Sequence, residues 1–321
     1  MNTGFKISRE DSNKLASDLT AKIAEQIHEI LKRTGAIVGI SGGIDSTVTA
    51  ALCVRALGAD NVLGVILPEK ESSPDSRKLA ENLAGRLGIK YIVDDITPAL
   101  EGLGCYDLRN IAIKEVFPEF TPDYKAKIVI ASNPLEKSSI NFFRLTIESP
   151  EGETFSKRLG IRQYLQVTAA SNMKQRVRML RLYYHAERLN YAVVGTGNKD
   201  EHELGFFVKY GDGGTDLKPI VHLFKVQIFE LARALDLPDE IIDRIPTTDT
   251  YSAEVSQSEF FFGVDFPILD GVWHGMENGK SADEIASDLG LTSEQVQRIQ
   301  NDILQKKRTT EYLRLPPLKI S

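Results

Sequence analysis

Gly39-Ile40-Ser41-Gly42-Gly43-Ile44-Asp45-Ser46-Thr47-Val48 joins the apolar run Ala36-Ile37-Val38 to Thr49-Ala50-Ala51-Leu52. Residues 36–40 read as a buried strand and residues 46–57 as a helix, so this segment is a strand-to-helix turn. Glycines in such a turn let backbone N–H groups converge where the helix dipole favours negative charge. Gly42 and Gly43 take β-carbons out of a phosphate's path, and Ser41 and Ser46 add hydroxyl donors. The turn reads as a phosphate site in an α/β fold.

The flanking sequence repeats the same order. Residues 11–33 read as a helix with Leu15, Leu19, Ile23, Ile27 and Ile30 at steps of three and four. Residues 61–67 read as a strand, 74–87 as a helix closed by Gly88, and 90–93 as a strand. Alternation resumes with a helix over 172–189, a strand over 191–195 and a helix over 225–235. This order predicts a doubly wound parallel sheet flanked by helices. Between Gly104 and about Ser171 the pattern breaks. Runs 142–147 and 154–159 on either side of Ser149-Pro150-Glu151-Gly152-Glu153 predict a hairpin within an insertion, suited to a lid, a subunit contact or plain surface. The end of the chain, about 264–321, is predicted to be helical, with two helices over 281–307. Residues 1–321 are read as one domain.

Composition narrows the function. No apolar stretch is long enough to span a bilayer and Met1 to Lys6 lack a signal-peptide core, so a cytoplasmic protein is expected. Cys53 and Cys105 alone support neither a disulfide framework nor a Cys-rich zinc site, and Cys53 is expected to pack in a core. The five histidines show no metal-ligand spacing. A net charge of −6 argues against a general nucleic-acid binder. Ser281 to Val296 has a helix-turn-helix rhythm, but its second helix offers Glu294 and Asp302 against Arg298, a poor match for DNA.

Asp45 gives the turn its chemistry. The segment has neither the lysine of a P-loop nor the spacing of a dinucleotide turn. A carboxylate beside bound phosphates makes sense if it holds Mg²⁺, whose ligands are carboxylates and phosphate oxygens. S-G-G-x-D-S in this context resembles the loop of the ATP pyrophosphatase superfamily, which implies an adenine nucleotide α-hydrolase-like fold and ATP cleaved to AMP and pyrophosphate.

A second block, Val193 to Leu235, reads VVGTGNKDEHELGFFVKYGDGGTDLKPIVHLFKVQIFELARAL. It resembles the ammonia-dependent NAD synthetases in order and spacing, a similarity that runs from the N-terminal helix to about Pro246 apart from the insertion. The resemblance implies that the carboxylate of deamido-NAD, or another carboxylate, is adenylated by ATP and that ammonia then displaces AMP. Thr196, Lys225 and Thr247 would join residues 39–46 on ATP, and Asp45 and Glu201 would hold Mg²⁺. Arg176, Lys209 and Asp216 would meet the acceptor, and a homodimer is implied. The residue types suit that reaction: Lys225 and Mg²⁺ meet charge that grows on the phosphates, and Asp212 or Asp216 could orient and deprotonate an incoming amine. Asp45, Lys225 and Asp216 are the expected catalytic groups.

Departures from the family fall near the C-terminus. Tyr312 and Leu313 occupy the place of a His-Lys pair, leaving Tyr312 and Arg314 as acceptor candidates. Phe260-Phe261-Phe262 suggests an apolar wall, a core or a dimer interface. There is no spare length for a glutaminase domain, so free ammonia or ammonia from a separate protein is expected. A tRNA-modifying enzyme would need basic stripes and a sulfur-handling cysteine pair, and a non-catalytic sensor would not need both carboxylates.

Overall fold

Residues 7–130, 133–136, 143–248 and 250–320 are described by the computed structural model. α1 (Arg9–Glu25) begins at Ser8, whose hydroxyl accepts from Asp11 N at 3.1 Å, and runs on into a π turn, Gln26–Ile30. β1 (Ala36–Gly39), α2 (Ile44–Leu57), β2 (Val62–Ile66), α3 (Pro74–Leu87) and β3 (Lys90–Val93) follow as the alternation predicts. α4 (Thr97–Gly102) and α5 (Cys105–Lys114) lead to β4 (Lys125–Ile130), β5 (Phe143–Glu148) and β6 (Thr154–Arg158). After them come α6 (Ile161–Leu189), β7 (Ala192–Val194), α7 (Lys199–Leu204), α8 (Lys225–Ala234) and α9 (Asp239–Ile242). The C-terminal part holds α10 (Phe266–Glu277), α11 (Ala282–Leu289), α12 (Ser293–Thr309) and the short α13 (Glu311–Arg314).

The main sheet has the order β3-β2-β1-β7, every pair parallel. Strand periodicity explains why helices cover both faces. Ala36 and Val38 face a core made with α1, α2, α3 and α8, while Ile37 faces a core made with α4, α5 and α6. β2 and β7 divide in the same way: Val62 and Ile66 against Leu63 and Val65, Ala192 and Val194 against Val193. Each valine, leucine or isoleucine so buried contributes roughly 1.5–3 kcal/mol. Because β1 is central, its carboxyl end and the start of α2 emerge in the middle of the sheet edge, where ligands bind in open α/β sheets.

The stretch between Gly104 and Ser171 is more regular than predicted. The hairpin is present as β5 and β6, with Phe142 of the predicted first strand outside the described residues. β4 pairs antiparallel with β5 to make a three-stranded sheet, and its alternation of buried Ala126 and Ile128 with Lys125 and Lys127 went unread. The helix predicted from 172 begins at Ile161, because Val167, Ala170 and Ser171 extend the buried stripe that continues at Lys174 and Val177. α11 and α12 bury Ile285, Val296, Ile299 and Ile303 in a core with Trp273 of α10. Arg298 donates to Pro134 O and Leu135 O and pairs with Glu294, so the cation weighed for DNA contact has protein partners. No helix among the described residues is long and apolar enough to cross a membrane.

Candidate active site

The turn after β1 leaves the N-terminus of α2 without a side-chain cap, with Gly43 extended at the cap position (φ −89°, ψ 159°). Ser46 and Thr47 hydroxyls both donate back to Gly43 O at 2.9 Å, and Ser41 Oγ lies 3.1 Å from Ser46 Oγ. The first amides of α2 are therefore free to meet an anion. Gly42 does not line the cleft; its φ is +77° and a β-carbon there would come within 2.6 Å of Ser76 O, so glycine lets the turn lie against α3. Gly43 does line the cleft.

One asparagine organises the acidic residues. Asn198 caps α7 and forms a capping box with Glu201: its backbone N donates to Glu201 Oε2 at 3.1 Å and its side chain accepts from Glu201 N. The Asn198 Nδ2 also donates to Asp45 Oδ1 at 3.0 Å, so the two expected Mg²⁺ ligands are tied to the same residue. Lys225, fully buried at the start of α8, donates its ammonium to Asp45 Oδ2. Burial works against that charge, but Asp45 and Glu201 outweigh it and hold the Lys225 pKa above the ordinary lysine value. Burial and the charge of Asp45 push Glu201 up to about 8. A carboxylate so raised is poised to gain from a cation. Among the described residues, no group of three His, Cys, Asp or Glu is arranged to hold a metal. Two carboxylates plus substrate phosphates is the donor set Mg²⁺ uses, so the residues present fit that ion.

Asp45, Glu201 and Lys225 lie on one cleft of about 590 Å³, a size suited to a nucleotide or comparable ligand, with Asn198 buried behind it. Thr196, Thr247 and residues 39–41 and 43–46 line it as expected. Arg77, Arg178 and Arg244 also line it. Asp212 opens onto the same space, is exposed there and accepts from Val208 N at 2.9 Å. The lining also carries the aromatic rings of Tyr164, Phe206, Phe207, Phe260, Phe261 and Tyr312. The phenylalanine run serves both readings: Phe262 is buried in the C-terminal core, while Phe260 and Phe261 face the cleft.

The remaining acceptor candidates lie outside the lining. The Asp216 carboxylate, expected to be catalytic, accepts from Val193 N at 2.8 Å and Tyr183 OH at 2.9 Å. Lys209 Nζ donates to Tyr312 O and Leu315 O at 3.0 and 2.8 Å. Arg314 donates to the carbonyls of His202, Glu203 and Lys307. These two cations fasten the C-terminal turn across the rim. Arg176 is exposed on α6, its Nε 3.3 Å from Lys209 O. Both cysteines are buried and free, and burial pushes Cys53 up to about 12. Asn198 was absent from the sequence reading, although Asn three residues before Glu is a capping signal. The cleft arginines carry no local signal, because their position depends on the packing of α3, α6 and the segment after α9.

The family model described as NAD synthase matches residues 15–110 and 116–316. An NH(3)-dependent NAD(+) synthetase of Mesorhizobium japonicum is 46% identical over 92% of this chain and 92% of its own length. In fold the chain resembles an NMN synthetase from Francisella tularensis, with a TM-score of 0.64, 23% identity and coverage of 98% and 99% of the two chains. It also resembles an NH3-dependent NAD synthetase from Campylobacter jejuni, with a TM-score of 0.60, 20% identity and coverage of 98% and 100%. With a glycine-rich turn at an uncapped helix start, two carboxylates tied to one asparagine and these matches over nearly its whole length, the chain belongs to the NAD synthase family.

Proposed function

We propose that the protein is an ammonia-dependent NAD synthetase: it adenylates the nicotinate carboxylate of deamido-NAD with ATP and lets ammonia displace AMP. The observation that carries this reading is the placement of the uncapped α2 amides over the Asp45–Asn198–Glu201–Lys225 array. The amides, with Ser41 and Ser46, would receive the terminal phosphates. A carboxylate oxygen attacks the α-phosphorus, the bond to the pyrophosphate oxygen breaks, and Lys225 meets the charge released on that leaving group. Mg²⁺ held by Asp45 and Glu201 would neutralise triphosphate charge during this step. In the second step ammonia attacks the acyl carbon and AMP leaves with the electron pair. Of the two aspartates weighed as amine-handling groups, Asp212 faces the cleft, and we assign it to draw in ammonium and take its proton. The aromatic rings of the lining suit the pyridine ring of the acceptor.

We further infer a homodimer in the cytoplasm that uses free ammonia. Leu108 and Ile111 of α5 and Ile161, Leu165, Leu180 and Tyr184 of α6 are exposed apolar side chains on two helices packed together. Apolar side chains left exposed along adjoining helices are candidates for a surface that a partner copy covers. Arg176 and Tyr183 bring the Lys209–Asp216 loop onto the same helix, so the distal part of a dinucleotide would lie near the subunit contact. The test is ATP/pyrophosphate exchange. It should require deamido-NAD, and added ammonium should yield NAD and AMP by mass spectrometry. Exchange without deamido-NAD, or no amide with ammonium, would overturn the reading.

A further inference from the structure

Lys225 is the first residue of α8, and that helix end is held from two other parts of the chain. Asp200 of α7 accepts from Lys225 N at 2.9 Å, and Asp270 of α10 accepts from Val226 N at 2.9 Å. Phe224, at the cap position, has no oxygen to offer. Two carboxylates thus take over the capping that a single Ser or Asp normally performs, where the helix dipole favours them.

Both carboxylates are fully buried. Each spends Oδ2 on an α8 amide at 2.9 Å, and the Oδ1 of each is buried without a hydrogen-bond partner among the described residues. The mechanism above uses neither residue. Asp270 is anchored on a rigid support, because its neighbours Leu269, Val272 and Trp273 fill the C-terminal core.

We propose that Asp270 is a positioning residue for Lys225: paired with Asp200, it clamps the first two amides of α8 and fixes the Lys225 ammonium beside Asp45 at the triphosphate end of the cleft. α10, which does not line the cleft, thereby enters the adenylation step without touching a substrate. This rests on the assignment of Lys225 to ATP in the proposed reaction.

Asp270→Ala, Asp270→Asn and Asp270→Glu test the clamp. In Asp270→Ala, kcat for ATP/pyrophosphate exchange should fall about tenfold or more and the KM for ATP should rise, with the KM for deamido-NAD unchanged, since small misplacements of a catalytic group cost this much. Asp270→Asn can still accept from Val226 N and should stay within about threefold of the parent. A folded Asp270→Ala enzyme with parental kcat and only a lower Tm overturns the proposal. So does an Asn variant as impaired as the Ala variant. Should the Ala variant not fold, Asp270→Glu takes its place: it keeps the charge but is one methylene longer, and parental kcat there is equally fatal. Amide hydrogen exchange over residues 224–228 reads the clamp without activity. It should quicken in the Ala or Glu variant and stay parental in the Asn variant, and unchanged protection in all of them overturns the clamp. A parent enzyme inactive toward deamido-NAD would overturn the reaction instead and leave this exchange measurement decisive.

Discussion

Asn198 holds Asp45 through its side chain and Glu201 through its backbone, so one residue sets the spacing of two carboxylates that follow the neighbouring strands β1 and β7. Lys225 completes the set, and its charge is secured because Asp45 faces it inside a buried pocket. Replacing Lys225 with Met removes a preorganised cation from a site where phosphate charge develops. kcat for pyrophosphate exchange is expected to drop roughly 10²–10³-fold with the fold intact by circular dichroism. Asp212 is exposed on the cleft and accepts from Val208 N. The expected direction is loss of the second step alone: Asp212→Asn, which still offers Val208 N an acceptor, should keep the fold by circular dichroism and lose ammonium-dependent amidation. Parental amidation in that variant would remove Asp212 from the second step.

At the scale of elements, what was legible was local. β1, α2, β2, α3 and β3 were readable because period-2 and period-3.6 patterns and a Gly/Ser turn lie within a few residues of one another. α5 and β4 were not, since a short amphipathic helix and an edge strand with two outward lysines carry weak patterns of their own. Least legible was the buried network under the β2–α3 connection. Lys174 on α6 donates to Glu69 and Glu71 at 2.8 Å, Arg109 of α5 grips Glu71 with bonds of 2.6 and 2.7 Å, and Tyr106 donates to Glu69 at 2.7 Å. Lys174 and Glu69 are 105 positions apart, so no window of sequence contains the pair. The network fixes the connection whose Ser72 and Ser73 line the cleft. Burial would raise the Glu71 pKa, but Arg109 and Lys174 prevail and bring it down to about 2 from 4.5. Its stabilisation is therefore complete above about pH 4.5 and is lost as pH falls toward 2. Glu71→Gln leaves two buried cations short of a partner and should cost about 3–5 kcal/mol at pH 7. Denaturant titration should show the gap between parent and variant closing as the medium is acidified from about pH 5 to 2.

The whole molecule raises a question that the single chain does not close. The groups assigned to ATP gather on one cleft, whereas Arg176, Lys209 and Asp216 lie beyond its lining, near the exposed apolar stripe of α6. The sequence named these residues by likeness but had no means of placing them relative to a second subunit, because a surface patch is assembled from the outward positions of two helices. If a partner copy covers the stripe, the acceptor site is completed across the contact, and dimerisation and acceptor affinity must change together. Leu180 is the sharpest probe: it is 68% exposed, so its replacement disturbs no core, and it lies on α6 between Arg176 and Tyr183, which hold the Lys209–Asp216 loop. A glutamate there would set two carboxylates against each other in a symmetric interface. Leu180→Glu is expected to elute at half the parent's mass by light scattering and to raise the KM for deamido-NAD about tenfold or more, with the KM for ATP nearly unchanged. A monomeric variant with the parental acceptor KM would place the whole acceptor site within one chain. A parent that is itself monomeric would require another occupant for the stripe.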